Sequence, residues 1–160
     1  MTDRCPAPLR GFAAGIVAGL VASLAMDLFQ KGWAKAVPMP SSGDDPATVK
    51  AAQKASRAAT GEYFAKSDKA AAGQWAHYLF GAGLGGAYGL LAEYRPEVTT
   101  GFGTGFGLGS GVLFDEVAVP AAGLTGPPGD YPAVSHAYSA ASHVVFGSVN
   151  EGVRRLLRAG

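Results

Sequence analysis

Apolar residues gather along this chain into four long segments, separated by polar or turn-rich stretches. The first runs from Leu9 to Trp33 (LRGFAAGIVAGLVASLAMDLFQKGW) and the second from Trp75 to Tyr94 (WAHYLFGAGLGGAYGLLAEY). The third covers Thr99 to Val119 and the fourth Ala133 to Leu157. A membrane span needs about 20 mostly apolar residues, and Gly11 to Phe29 nearly supplies them. Gly, Ser and His dilute the third and fourth segments, so mean hydropathy is only +0.15. The pattern predicts an all-α fold, an integral membrane four-helix bundle made of two helical hairpins. Its spans fall at about residues 10–33, 75–95, 99–119 and 133–157, within one domain covering residues 1–160.

Two other readings fit the first segment. One is a secretory signal, with Arg4 and Arg10 before it and Ala34-Lys35-Ala36 as a cleavage site. Its apolar part is longer than the roughly 7–15 residues of a signal core. The other is the core helix of a soluble protein. A membrane span is the favoured expectation. The loop at residues 38–72 is the polar part of the chain. Pro38 to Gly43 reads as a turn-rich break. An amphipathic helix should follow, capped by Asp44 or Asp45, with Pro46 in its first turn and Gly61 at its end. It is expected on the membrane surface, over the end of the bundle, or as a solvated loop helix.

Residues four apart share a helix face. The first segment then carries a stripe of Gly11, Gly15, Gly19, Ser23, Asp27 and Lys31, and the second one of His77, Gly81, Gly85, Gly89 and Glu93. Such small-residue stripes let helix backbones approach closely in lipid. Gly11-Phe12 with Gly15 and Gly19 is echoed by Gly101-Phe102 with Gly105 and Gly109. His77 with Phe80-Gly81 is echoed by His143 with Phe146-Gly147. That order suggests two hairpins related as parallel repeats.

Glycine occupies every odd position from Gly101 to Gly111. A dinucleotide loop needs glycine at i, i+2 and i+5, and here i+5 always misses. No Gly-Lys follows, so a phosphate-binding loop fails as well. A lone strand in lipid would leave its backbone unpaired. In a helix, Gly101, Gly105 and Gly109 line one face, with Gly103, Gly107 and Gly111 nearly opposite. The expectation is a helix thin on both sides, sandwiched between two neighbours.

In two hairpins, one end of the bundle collects Asp27, Lys31, His77, Asp115, Glu116 and His136, with His143 about two turns deeper. All 3 histidines of the chain lie there. Ionisable residues within spans are costly and are functional candidates by default. This cluster points to a site for protons, ions or a small solute, since His titrates near neutrality. Structural pairing is the plainer reading. His77, His136, His143, Asp115 and Glu116 are also candidate ligands for a divalent metal, although nothing in the sequence requires a cofactor. No HExxH, CxxC or nucleophile elbow occurs, and the chain is not expected to be an enzyme.

Charge adds an orientation. Only 16% of residues are charged, and none between Arg95 and Arg154 is Lys or Arg. A formal net charge of +1 gives no field for nucleic acid. Arg10, Arg95, Arg154, Arg155 and Arg158 collect at the end opposite the histidines, so the positive-inside rule places both termini in the cytoplasm. Lys50, Lys54, Lys66 and Lys69 in the first loop argue the other way. The single cysteine, Cys5, can form no internal disulfide.

Four stretches carry a resemblance: GFAAGIVAGLVASLAMDLFQKGWAKAVPMP, GAYGLLAEYRPEV, PAAGLTGPP and SHVVFGSVNEGVRRLLR. Together they resemble successive blocks of the YagU-like family of bacterial inner-membrane proteins. The most specific pieces are Lys31 through Pro40, Ala92-Glu93 before Pro96, and Pro120 with Gly123-Leu124-Thr125 and Pro127-Pro128. Lys35-Ala36 stands where that family tends to show an acid before Val-Pro. The resemblance implies a multi-pass inner-membrane protein with a link to acid tolerance, and it brings no catalytic residues. The lipid bilayer is the expected partner. The alternative function is a structural or accessory subunit that docks a membrane-complex partner, or copies of itself as a homo-oligomer, through its glycine faces.

Overall fold

Proline and glycine mark most of the helix boundaries. Helix α1 (Pro8–Ala36) has proline in its first turn, where the missing N–H costs nothing. Helix α2 (Ala47–Thr60) follows Pro46 and ends on Gly61, whose φ of 81° makes the left-handed cap. Asp44 and Asp45 do not cap it. They pair instead with Lys50 at 3.1 Å and Lys69 at 2.5 Å. Helix α3 spans Lys69–Tyr94, and a 3₁₀ turn at Pro96–Thr99 follows it. Helix α6 (Ala133–Ala159) opens directly after Pro132. This computed structural model describes residues 6–38 and 43–159, which are all-helical with no strand among them. Cys5 and most of the turn expected at Pro38 to Gly43 lie outside the described residues.

The third apolar segment is not the continuous helix expected from residue 99. Gly101, Phe102 and Gly103 have φ of 65°, 56° and 79°, so the chain makes a left-handed turn before α4 (Thr104–Gly111) begins. A π-helical stretch, Val112–Ala118, continues α4 and leads into α5 (Val119–Ala121). The Val119 N–H reaches back five residues to the Phe114 carbonyl. This wide turn sits just before Pro120, which has no N–H to offer the Glu116 carbonyl.

The long helices meet through backbone. Helix α1 lies between α3 and α6, α4 packs on α6, and α2 lies against α3. A Cβ on Gly85 would stand 2.6 Å from the Gly19 Cα, and one on Gly89 would stand 2.9 Å from the Gly15 Cα. Between α4 and α6, a Cβ on Gly147 would stand 3.0 Å from the Gly107 Cα, and one on Gly111 would stand 2.8 Å from the His143 ring. The face of α4 that meets its neighbour is therefore Gly103, Gly107 and Gly111. The expected packing face, Gly101, Gly105 and Gly109, is not the one used. Gly101 precedes the helix, Gly105 and Gly109 are exposed, and a Cβ on Gly109 would meet nothing within 4 Å. The other side of the expected sandwich is thus open. Rings join the third segment to α3, with Tyr88 on Phe106 of α4 at 4.6 Å and Phe80 on Phe114 of the π-helical stretch at 4.7 Å.

Buried positions hold many small residues, Gly, Ala14, Ala18, Ala22, Ser23 and Ser142, together with Met26, Tyr88, Phe146, Asn150 and Glu151. Leu20, Val21, Leu24, Leu28, Leu79, Leu91, Val112, Leu113 and Val117 face outward. Among the described residues, α1 is the helix long and apolar enough to cross a membrane. Helices α3 and α6 come close to it in length, at about 40 Å by the rise per residue, but hold no stretch of matching hydropathy.

Candidate functional site

The end of the bundle that carries the histidines is built from three helix termini and the π-helical stretch. Asp27 lies on the same face of α1 as Gly19 and Ser23, one turn further on, so the backbone contact with α3 delivers it to that helix. There it accepts hydrogen bonds from Gln74 Nε2 at 2.6 Å and the Tyr78 hydroxyl at 3.1 Å. His77 Nε2 stands 3.3 Å from its other oxygen, within ion-pairing range, but is out of line and has no hydrogen-bond partner.

The α4–α6 pair has the same plan. Gly107 and Gly111 bring the backbone to His143, and Asp115 follows one turn after Gly111. Asp115 accepts a 2.5 Å bond from the Ser139 hydroxyl and lies 3.7 Å from His143 Nδ1. His143 donates from that same nitrogen to the Ser139 carbonyl at 3.0 Å, which fixes the ring. Glu116, the next residue, turns to His136 at 2.7 Å. In an α-helix successive side chains diverge by about 100°, and the wide π turn lets both acids reach α6.

A cleft of about 970 Å³ opens between these elements. Asp27 and His77 line it from α1 and α3, and Asp115 and His143 from the π-helical stretch and α6. Its walls include Met26, Phe80, Leu84, Phe114 and Phe146, and Ser23 lies among its lining residues with its hydroxyl unpartnered. Asp45, Pro46 and Val49 close one end. Val49 rests on Gly73, where a Cβ would stand 2.5 Å from the Val49 side chain, and Lys54 ties α2 to the Ala122 carbonyl at 2.6 Å. Apolar walls with a few convergent polar groups, at this volume, are the usual make-up of a small-molecule site.

The predicted cluster therefore divides. Asp27, His77, Asp115 and His143 share the cleft, Glu116 and His136 form a pair outside its lining, and Lys31 is exposed. Among the described residues, no group of three or more His, Cys, Asp or Glu side chains is placed to hold a metal ion. Sequence reasoning missed Gln74, Tyr78 and Ser139. Each lies within four residues of a histidine on its own helix, which was the available signal.

The opposite end is a network of full charges. Glu151 is fully buried and takes hydrogen bonds from Tyr88 at 2.8 Å, Arg154 at 2.7 and 3.0 Å, and Arg155 at 2.5 Å. Arg158 clasps Glu93 with two bonds, at 2.8 and 2.9 Å. Arg155 also covers the Phe102 ring at 4.9 Å, holding the strained left-handed turn. These acids are satisfied by guanidinium groups, so this end reads as a fastening rather than a site.

No curated protein and no solved structure matches the chain. A family model does match, over residues 24–152, which take in the acid–histidine pairs, the cleft lining apart from Ser23, and Glu151. The chain belongs to the DUF1440 family of proteins of unknown function.

Proposed function

We propose that this is a multi-pass inner-membrane protein that passes protons through the cleft beneath α2 and holds a small solute there, with both termini cytoplasmic. The observation that carries the reading is the placement of two carboxylate–histidine pairs, Asp27–His77 and Asp115–His143, on one cleft inside a bundle. Histidine beside a carboxylate can take up and release a proton near neutral pH. Groups of this kind inside a membrane mark ion and proton paths.

Support for the membrane comes from the outward apolar surface and the small-residue helix contacts. Trp75 and Tyr131 at the histidine end and Tyr94 at the other are exposed, as interfacial aromatic residues are. Arg10, Arg95, Arg154, Arg155 and Arg158 at the far end favour a cytoplasmic position for it. The resemblance to YagU-like proteins, with their link to acid tolerance, agrees with proton handling. The reading requires no chemical turnover.

The test is proton entry into liposomes that hold the purified protein and a trapped pH-sensitive dye. The protein should acidify the lumen faster than protein-free liposomes under an inward pH gradient. Asp27→Asn combined with Asp115→Asn should remove the excess. Equal rates with and without the protein would reject the reading.

A second reading, docking of a membrane partner or another copy, is favoured by the open Gly105 and Gly109 face of α4. Cysteines placed there should cross-link between chains in native membranes if copies associate through it.

A further inference from the structure

We infer that the cleft binds a monovalent organic cation with an apolar body. The inference rests on the reading of this cleft as the solute site. Its starting point is the way acids are matched in the rest of the bundle. Glu151 is held by two arginines and Glu93 by a third, and in the loop Asp44 and Asp45 are held by lysines. Glu116 is paired with a histidine, His136, and Asp27 and Asp115 resemble it rather than the acids held by arginine or lysine. Among the described residues the partners of Asp27 and Asp115 are Gln74, Tyr78, Ser139 and two histidines, none of which carries a permanent positive charge.

The Asp27 side chain is only 13% exposed and needs a compensating charge, while Asp115, 42% exposed, adds a second negative charge to the lining. When the histidines are neutral, that charge must come from something in the cleft. The lining holds three acids (Asp27, Asp45 and Asp115) against two lysines (Lys66 and Lys69), and Lys69 is already paired with Asp45. The balance thus favours a cation.

The walls say what kind. A small hard ion needs about six oxygen ligands, and no three ligating side chains gather here among the described residues. Phe80 and Phe114 meet edge to face at 4.7 Å on the cleft wall, next to Asp115, and offer ring surface to a cation. Met26, Leu84 and Phe146 supply apolar surface for the rest of the molecule. Ser23 is fully buried behind this wall, its hydroxyl turned to Gly81 in the contact between α1 and α3.

The probe is tetraphenylphosphonium, compared with tetraphenylborate, which has the same shape and the opposite charge. Equilibrium dialysis against the full chain in detergent micelles should give saturable binding of the cation and only unsaturable partition of the anion. Asp27→Asn and Asp115→Asn should each weaken cation binding by about tenfold, the loss of one charge interaction, and leave the anion unaffected. Gel filtration reports whether each variant folds. If Asp27→Asn does not, Asp115→Asn, whose carboxylate lies nearer solvent, carries the test. Equal affinity for both ions, or cation binding indifferent to the folded variants, would overturn the inference. Carboxylate-dependent proton entry without saturable cation binding would also overturn it, while the proton reading stood. Carboxylate-dependent cation binding without proton entry would uphold the inference and remove the proton reading.

Discussion

The Tyr88 hydroxyl donates to Glu151 Oε2 across 2.8 Å, and neither residue is exposed to solvent. This bond, with the Arg158–Glu93 clasp, joins α3 to α6. Removing the hydroxyl leaves Glu151 with its arginines, so Tyr88→Phe should cost only about 1–2 kcal/mol. Glu151→Ala should cost more, about 3 kcal/mol, because Arg154 loses its partner in a half-buried position while Arg155 can turn to solvent. Thermal unfolding in detergent gives the order. A larger loss for Tyr88→Phe than for Glu151→Ala would mean that the network is not organised around the acid.

Gly85 and Gly83 lie two residues apart on α3 and should respond in opposite ways to the same change. A Cβ on Gly85 runs into the Gly19 backbone, and backbone cannot rotate aside. Gly85→Ala should destabilise the bundle by about 1–3 kcal/mol. A Cβ on Gly83 meets nothing within 4 Å. Gly83→Ala should therefore stabilise, by up to about 1 kcal/mol, through its effect on the helix alone. The midpoint of thermal unfolding should fall for the first variant and hold or rise for the second.

The same contrast fixes the register of α4. Gly107→Ala should destabilise, since its Cβ would overlap the His143 carbonyl, whereas Gly109→Ala should be silent or stabilising in the isolated chain. The reverse result would restore the face containing Gly101, Gly105 and Gly109. That face was the natural reading of the sequence because Gly101-Phe102 copies Gly11-Phe12. The copy misleads by a physical route. Gly101, Phe102 and Gly103 form a left-handed turn, so the letters that match the start of α1 lie outside α4. What α1 and α4 share is spacing back from the acid. Ser23 and Gly19 precede Asp27 by four and eight residues, as Gly111 and Gly107 precede Asp115.

Helix type and the gathering of His and acids at one end were legible in the sequence, because apolar runs and their turns set the chain's direction. The pairing within that end was not. Whether Asp115 and Glu116 reach different histidines depends on the π turn, and no periodicity announces a π turn. Only Pro120, two residues past it, hints that a regular helix must change there. The role of Gln74 and Tyr78 was hidden for a different reason. Their link to Asp27 crosses 47 and 51 residues of sequence, and only the closeness of the glycine faces creates it.

His136 serves as a control for the cleft, because it lies outside the lining. It pairs with Glu116 at 2.7 Å but does not line the cleft, whereas His77 does. His136→Gln should leave dye-reported proton entry at the wild-type rate. His77→Gln should slow it by about tenfold or more, as expected when a positioned proton carrier is lost. Equal slowing by both would place the path along the Glu116–His136 pair instead.

The orientation of the bundle can be read by labelling. Gly129 lies in the turn between α5 and α6, is exposed, and has nothing within 4 Å of a Cβ placed on it. Ala159 ends α6 beyond the arginines and is also exposed. In a chain whose Cys5 is replaced, Gly129→Cys should react with a membrane-impermeant maleimide added outside intact cells stripped of their outer wall. Ala159→Cys should react only after the membrane is opened. The proposed direction follows from the arginines, because the loop around Gly129 carries no Lys or Arg and should meet little resistance to crossing. The lysines of α2 lie at the same end of the bundle as Gly129 and oppose it, since Lys54 reaches the Ala122 carbonyl. Labelling of Ala159→Cys alone in intact cells would mean that those lysines win and the cleft opens to the cytoplasm. Labelling of both sites in intact cells would mean that α6 does not cross the membrane.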